Sequence, residues 1–203
     1  MESRRAIQIS LKGDKMAKMK DLKKNGKLKD GTVVLLRPMI KTDRKELGEF
    51  FNRLTPSVLQ YVRNDVTDPT VLDKWFDQLN YDRVFPLLAF KNDKVVANAS
   101  LHRVAYGWRK HLATIRIVVD PTFHGKGLGT LMINELVDLA LEFGIEKLMV
   151  EFPLRAHEAL AMFKKAGFSP RGVIEGLMKD RHGKDLDIVI MVMDVAAYAD
   201  KSR

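Results

Sequence analysis

The sequence has no cysteine among its 203 residues. Without thiols the chain can form no disulfide framework, no thiolate metal site and no iron–sulfur cluster, and it has no cysteine nucleophile. Long apolar runs are also absent, because the longest, Ile188 to Met193, has six residues and a membrane-spanning helix needs about 20. The first fifteen residues lack the apolar core of a signal peptide, so we expect a cytoplasmic protein with no membrane partner.

The remaining composition is that of an ordinary globular protein, 46% hydrophobic and 30% charged. The net charge is +9, and the first thirty residues hold ten basic but only four acidic side chains. We therefore expect a basic N-terminal helical appendage over residues 1–26, ended by Gly26, and one domain over residues 27–203. A lysine-rich run without aromatic residues is typical of solvated surface. Binding of nucleic acid through this arm is the alternative.

Periodicity and turn residues predict an α/β (α+β) domain with elements in the order strand, helices, three strands, helix, strand, helix and two strands. In the middle of the chain, a strand (113–119), a helix (127–143) and a strand (145–152) indicate a parallel pair with a right-handed crossover. Turn residues at Asp30-Gly31 and Asn92-Asp93 indicate antiparallel hairpins before it. We expect a ligand at the carboxyl ends of the parallel strands.

A glycine-rich turn joins the strand that ends at Val119 to the long helix. Three glycines alternate within residues 124–130, where exposed N–H groups and the helix dipole can bind phosphate without side chains. The turn is not a Walker loop, because Asp120 stands where that loop has a glycine, six residues before Lys126. It is not a dinucleotide fingerprint either, because Met132 occupies the position of the third glycine. The turn is therefore a candidate anion site of another kind.

This turn and a second block resemble the GNAT family of acyl-CoA N-acyltransferases. The family's motif A, Gln/Arg-x-x-Gly-x-Gly/Ala after Val-x-Pro, is similar to His124-x-x-Gly127-x-Gly129 after Val119-Asp120-Pro121. Ala159-x-x-x-Phe163-x-x-x-Gly167-Phe168 resembles the family's Ala-x-x-x-Tyr-x-x-x-Gly-Phe. The resemblance covers about residues 32–194. It implies a single GNAT-like domain with a mixed sheet of about six to seven strands, splayed at a β-bulge, and about four to five helices.

The resemblance further implies acetyl-CoA as co-substrate, bound between the strands 113–119 and 145–152. Its pantetheine arm would pair with backbone groups of Ile117, Val118 and Val119, and the Val119 amide would polarise the thioester carbonyl. The amides that would hold its pyrophosphate are those of Gly125, Lys126, Gly127, Leu128, Gly129 and Thr130. The Lys126 side chain would either add charge near a phosphate or be solvated.

Glu151 is the candidate catalytic base. It matches the glutamate on the strand after motif A in the family's ribosomal-protein N-terminal acetyltransferases, although the asparagine that follows there is Ala156 here. A carboxylate in an apolar strand is costly to bury unless it is paired or faces a wet cleft. The alternative is a structural carboxylate that faces outward or pairs with Arg155. The five histidines show no metal-ligand spacing, so we expect no metal.

The resemblance implies an N-acetyltransferase that moves an acetyl group from acetyl-CoA to a primary amine. Phe163 stands where the family commonly has a tyrosine that protonates the CoA sulfur, and it lines the cofactor site without donating. Water, Tyr61 or Tyr81 would then supply that proton. The alternative function is a catalytically weak CoA-binding regulatory protein, or one associated with RNA or the ribosome.

The acceptor amine is the open question at this stage: a protein lysine, an N-terminus or a small amine. The segment 36–51, with Leu36-Arg37-Pro38-Met39 and then Asp43, Leu47, Phe50 and Phe51, resembles the bacterial protein-lysine acetyltransferase branch. Asp65, Asp68 and Asp73 would suit a polyamine or another cationic small amine, although Asp68 is also a helix cap. A homodimer is left open.

Overall fold

The computed structural model describes residues 22–180 and 182–201. Residues 1–21, most of the predicted N-terminal helical appendage, lie outside these. The prediction that this helix extends to Gly26 is wrong, because Lys24–Lys27 is a strand. A Cβ at Gly26 would stand 2.4 Å from the Leu131 side chain, so the absence of a side chain lets the strand approach the long helix closely. The domain boundary expected at residue 27 thus falls inside this strand.

Eight strands form one mixed sheet: β1 (Lys24–Lys27), β2 (Val33–Pro38), β3 (Val84–Lys91), β4 (Lys94–Arg103), β5 (Leu112–Val119), β6 (Lys147–Pro153), β7 (Ser169–Lys179) and β8 (Asp185–Asp194). Their order across the sheet is β1-β2-β3-β4-β5-β6-β8-β7. The helices are α1 (Arg44–Arg53), α2 (Pro56–Leu59), α3 (Pro69–Asp77), α4 (Leu128–Glu142), α5 (His157–Lys165) and α6 (Val195–Lys201), with 3-10 turns at Lys41–Asp43 and Pro121–Phe123. The α/β class is confirmed, with slightly more strands and helices in the described residues than predicted.

Two apolar cores lie on opposite faces of the sheet. Beneath α4 and α5, the core is built from alternate residues of β4, β5 and β6, such as Leu101, Ile115 and Val150. The second core, which includes the Phe50 and Phe51 side chains, lies beneath α1 and α3 on the opposite face of the sheet. Since side chains alternate across a strand, every residue of the central strands belongs to one of two distinct environments.

The parallel pair β5–β6 is joined only at its beginning. Their pairing runs from Leu112 and Lys147 to Thr114 and Met149 and then ends. Beyond this point β5 stays paired with β4 as far as Val119, whereas β6 stays paired with β8. The two halves of the sheet therefore separate and leave a cleft between the carboxyl ends of the parallel strands.

The separation occurs without any shift in the register of β5 against β4. The resemblance implied a sheet that splays at a β-bulge, but the register shifts of the sheet fall between Ala89 and Phe90 and within the β7–β8 pair, away from the point where β5 and β6 part. The cleft opens because β5 remains hydrogen-bonded to β4 while β6 remains hydrogen-bonded to β8. Its position at the ends of the central strands agrees with the location predicted for a ligand.

Candidate active site

The turn between β5 and α4 presents a row of backbone amides. Asp120 begins it by accepting a hydrogen bond from the Thr122 amide at 3.0 Å, and α4 begins after Gly127. The Lys126 amide donates to the Phe123 carbonyl at 3.4 Å. Five other amides have no acceptor within the described residues, those of Gly125, Gly127, Leu128, Gly129 and Thr130. Unsatisfied N–H groups at a helix N-terminus are a ready site for a phosphate or pyrophosphate.

The glycines of this turn have different roles. Gly127 has a φ of 90°, a left-handed conformation that residues with a Cβ adopt only at a cost. Gly129 is helical, and a Cβ there would lie 2.4 Å from the Met162 sulfur of α5. Gly127 therefore allows the left-handed backbone of the turn, and Gly129 allows α4 and α5 to approach each other.

His124 and Lys126 are both engaged with the protein. The His124 Nε2 atom donates to the Val119 carbonyl at 3.2 Å, so this residue, which stands where the family has Gln or Arg, connects the turn to β5. The Lys126 ammonium lies 3.2 Å from Asp30. The pKa of Asp30 is lowered to about 2, first by hydrogen bonds from Thr32 and then by Lys126. Lys126 thus links the turn to the β1–β2 hairpin.

The edge of β5 that faces the cleft offers backbone groups in alternation. The Asp120 amide donates to the Val96 carbonyl of β4 at 2.9 Å. Because successive residues point their N–H and C=O groups to opposite edges of a strand, those of Ile117 and Val119 point to the cleft and those of Val118 to β4. Of the three residues predicted to pair with a pantetheine arm, Ile117 and Val119 therefore present backbone groups to the cleft, and Val118 does not.

Glu151 lies on the part of β6 that borders the cleft, with its side chain 20% exposed. It forms an ion pair with Arg63, from the segment between α2 and α3. The alternative partner Arg155 instead lies 3.2 Å from the Gln60 side-chain oxygen and 3.8 Å from Asp180. Glu151 is thus paired, but with an arginine that no sequence pattern indicated.

A polar row along β4 and β5 is the part of the site that sequence reasoning missed. Its members share one face of the sheet because they are cross-strand partners: Asn98 with Val118, Ser100 with Arg116, and His102 with Thr114. Thr114 is also paired with Met149. Arg116 and Glu151, two residues further along their strands, therefore lie on this same face on either side of the cleft. The sequence pattern that could have revealed this row is a polar residue at every second position of otherwise apolar strands.

His102 is neutral in this setting. Its Nε2 atom lies 2.9 Å from the Ser100 hydroxyl. Burial, followed by the charges of Arg116 and Arg63, lowers the pKa of His102 to about 4. Burial and the charge of Arg63 also lower the pKa of Arg116. The two guanidinium groups are therefore close enough to act on the same imidazole and on each other.

Phe163 and the two candidate proton donors, Tyr61 and Tyr81, have different surroundings. Phe163 is 4% exposed and stacks on Phe152, with ring centroids 5.4 Å apart, so its observed contacts are those of packing. The Tyr81 hydroxyl donates to the Met39 carbonyl at 2.6 Å, which occupies its proton. The Tyr61 ring lies 5.7 Å from the Arg155 guanidinium, near the end of β6.

The three carboxylates considered for a cationic acceptor each have a partner within the protein. Asp65 accepts from Thr67, Asp68 caps α3 through Thr70, and Asp73 pairs with Arg44. Each is used by a local contact at the surface. Residues 22–180 and 182–201 contain no group of three or more side chains arranged to hold a metal ion. Over the same ranges, no helix has the length and apolarity needed to cross a membrane.

A protein-family comparison identifies the class of protein that this cleft and turn define. Residues 48–168 match the model of the acetyltransferase (GNAT) family. The chain therefore belongs to the GNAT family, and it is an acetyltransferase. The resemblance inferred from the two sequence blocks is confirmed.

Individual relatives agree with this assignment. The chain is 28% identical over 153 residues to the Bacillus subtilis (strain 168) protein named "Putative phosphinothricin acetyltransferase YwnH", a match that covers 73% of this chain and 91% of that protein. The crystal structure of a GNAT-family acetyltransferase from Streptococcus pneumoniae has a TM-score of 0.69 and 24% identity, covering 79% of this chain and 99% of that one. The structure of yncA from Salmonella typhimurium with its cofactor acetyl-CoA has a TM-score of 0.69 and 20% identity, covering 80% and 94% of the two chains. At these identities the structural likeness concerns the fold.

Proposed function

We propose that this acetyltransferase moves the acetyl group of acetyl-CoA to a primary amine bound in the cleft between β5 and β6. The observation that carries the proposal is the set of five amides without acceptors at the start of α4. They lie next to the end of β5, at the cleft where the two halves of the sheet part. Amides in this arrangement fit a pyrophosphate without any side chain.

Acetyl-CoA supplies an acetyl group on a thioester, and the chain supplies its binding and orientation. The five amides of this turn that have no acceptor hold the pyrophosphate, those of Gly125, Gly127, Leu128, Gly129 and Thr130. Ile117 and Val119 pair with the pantetheine arm through the backbone groups that face the cleft, and the Val119 amide polarises the thioester carbonyl. These roles follow from where the backbone groups point, so they depend little on side-chain identity.

Glu151 takes the proton that the acceptor amine must lose. A primary amine is protonated at neutral pH and attacks a carbonyl only after deprotonation, directly or through a water molecule. Glu151 borders the cleft, and its partner Arg63 fixes the carboxylate on the face away from α4. Phe163 cannot donate, and the Tyr81 hydroxyl donates to the Met39 carbonyl, so water or Tyr61 protonates the departing sulfur.

The experiment that tests this proposal is an acceptor screen that measures released CoA. Because the chain has no cysteine, a thiol-reactive dye detects only the CoA that the reaction frees. The panel contains amino acids, polyamines and peptides with a free lysine or a free N-terminus. We expect at least one class of amine to accelerate CoA release far above the rate with acetyl-CoA alone.

Calorimetry with CoA provides the control. Tight CoA binding without release to any amine would contradict the proposal and support the CoA-binding regulatory alternative. A protein that binds no CoA at all would contradict the role of the amides as well.

A further inference from the structure

We propose that the acceptor of this enzyme is a small amine that also carries a carboxylate or a similar anionic group, bound by Arg116 and Asn98. The inference rests on the proposed function, because it concerns the amine that enters the same cleft. It starts from polar side chains on β4 and β5 that the fold itself leaves without partners.

Two buried polar atoms on this face have no hydrogen-bond partner among the described residues. One is the Asn98 side-chain oxygen, and the other is the Arg116 Nε atom. A buried polar atom without a partner is costly and uncommon in a native protein. One of these atoms accepts and the other donates, so together they suit a ligand that has an N–H group and an anionic oxygen.

The strand register places the two groups within reach of one ligand. Arg116 is the partner of Ser100, and Asn98 is the partner of Val118. Asn98 and Arg116 are thus diagonal neighbours on one face, about 7–8 Å apart at the backbone. An arginine side chain spans part of that distance. A small molecule whose amine and anionic group are separated by a few bonds can contact both.

The charge of this face favours an anion. Arg63 and Arg116 contribute two positive charges, whereas Glu151 contributes one negative charge and already pairs with Arg63. His102 is neutral at neutral pH, because burial and the two arginines lower its pKa to about 4. Within the described residues, Arg116 has no ion-pair partner. One anionic group would balance the remaining positive charge, and a polycation would meet repulsion instead.

The location of Arg116 connects this anion site to the reaction. Arg116 directly precedes Ile117, whose backbone faces the cleft, and it lies across the cleft from Glu151 on the same face of the sheet. An amine anchored by its anionic group at Arg116 would therefore sit between the candidate base and the strand that binds the thioester arm. The site thus selects the acceptor and also positions it.

The test compares acceptors that differ only in the anionic group. L-methionine and L-phenylalanine are each paired with their α-amides, and CoA release is measured with the full-length protein. We expect kcat/KM to be about 10- to 100-fold higher for the acids, which corresponds to one charge-assisted hydrogen-bonding interaction. The α-amino group of an amino-acid amide is less basic than that of the free acid and is more readily deprotonated. A preference for the acids would therefore have to come from recognition of the carboxylate.

Substitutions then test whether Arg116 and Asn98 recognise the anionic group. Arg116→Gln should lower kcat/KM for the acids by about 10- to 100-fold and leave the amides unchanged. Asn98→Asp keeps the size of the side chain and adds a negative charge, so it should disfavour the same acids without removing Arg116. The matched control is Arg44→Gln, which removes an arginine whose partner is Asp73 at the surface.

The outcomes separate this inference from the proposed function. Transfer to spermidine or to lysine peptides in preference to the acids, or equal use of acids and amides, would overturn the inference and keep the enzyme a transferase. If no amine accepts the acetyl group, calorimetry with the same acids and the CoA-saturated protein decides. Binding that Arg116→Gln abolishes would support the anion site, and the absence of binding would overturn it.

Discussion

The candidate site has a backbone half and a side-chain half. The backbone half, formed by the turn 124–130 and the edge of β5 that faces the cleft, offers N–H and C=O groups, and its shape depends on glycines. The side-chain half lies on the face of the sheet away from α4 and comes from four separate segments: Asn98 and His102 on β4, Arg116 on β5, Glu151 on β6, and Arg63 between α2 and α3. A backbone site tolerates many substitutions but not a change of conformation. A side-chain site changes its ligand with single substitutions.

The largest expected effect concerns the side-chain half. Glu151→Gln should lower turnover with a true acceptor by about 10²- to 10⁴-fold, because general-base assistance typically contributes that much. The affinity for acetyl-CoA should stay nearly the same, since the substitution leaves the amides of the turn 124–130 unchanged. Steady-state kinetics and calorimetry together measure both quantities.

Glu49→Gln is the control for this substitution, because Glu49 is a largely exposed carboxylate on α1 beside Lys45. It should leave turnover unchanged. Full activity of Glu151→Gln across the pH range would assign proton removal to bulk water or to another group. The side-chain half of the site would then have no assigned role in removing the proton.

A smaller effect is expected from the neutral His102. Its folded-state pKa, about 4, lies below its ordinary value of 6.5, so the unfolded chain takes up the proton first as pH falls. The protein should therefore lose stability between about pH 6.5 and pH 4, by at most about 3 kcal/mol. Unfolding by urea at several pH values measures this slope.

His102→Asn should remove this part of the pH dependence and keep a polar group beside Ser100. His182, in the turn before β8 and exposed, provides the control as His182→Asn. An unchanged slope in His102→Asn would show that His102 is protonated as easily in the folded chain as in the unfolded one.

The smallest expected effect distinguishes Gly127 from Gly129, two of the three glycines of the turn. Gly127→Ala should destabilise the protein by about 1–2 kcal/mol, because alanine is strained at a φ of 90°. Gly129→Ala should cost less, since its conformation is helical and the Met162 side chain that it meets is flexible. Chemical denaturation of the two variants tests this order, and the reverse order would contradict the separate roles assigned to the glycines.

The backbone half of the site was predictable from sequence because its determinants are local. Gly127 and Gly129 stand a fixed distance after Val119, and a strand, a turn and a helix follow from that spacing. The helix predicted over 127–143 is found at Leu128–Glu142. Short-range patterns of this kind need no knowledge of the remaining chain.

The side-chain half was not predictable because its contacts join distant positions. The pair of Arg63 with Glu151 depends on how the segment between α2 and α3 folds over the sheet, and that segment has no periodic pattern. The polar alternation from Asn98 to His102 is visible in the sequence, but its neighbours are set by the register with β5. The strand at Lys24–Lys27 was missed for a similar reason, since its pairing with β2 decides its conformation.

The most direct test of the central claim is the affinity of Gly127→Glu for CoA, measured by calorimetry. Glutamate at this position places a side chain and a negative charge beside the five amides of the turn that have no acceptor. Gly144→Glu is the matched control, because Gly144 also has a positive φ and open space around it but lies at the other end of α4. The account predicts that Gly127→Glu abolishes CoA binding while Gly144→Glu retains it. Undiminished CoA affinity in a folded Gly127→Glu protein would contradict the account.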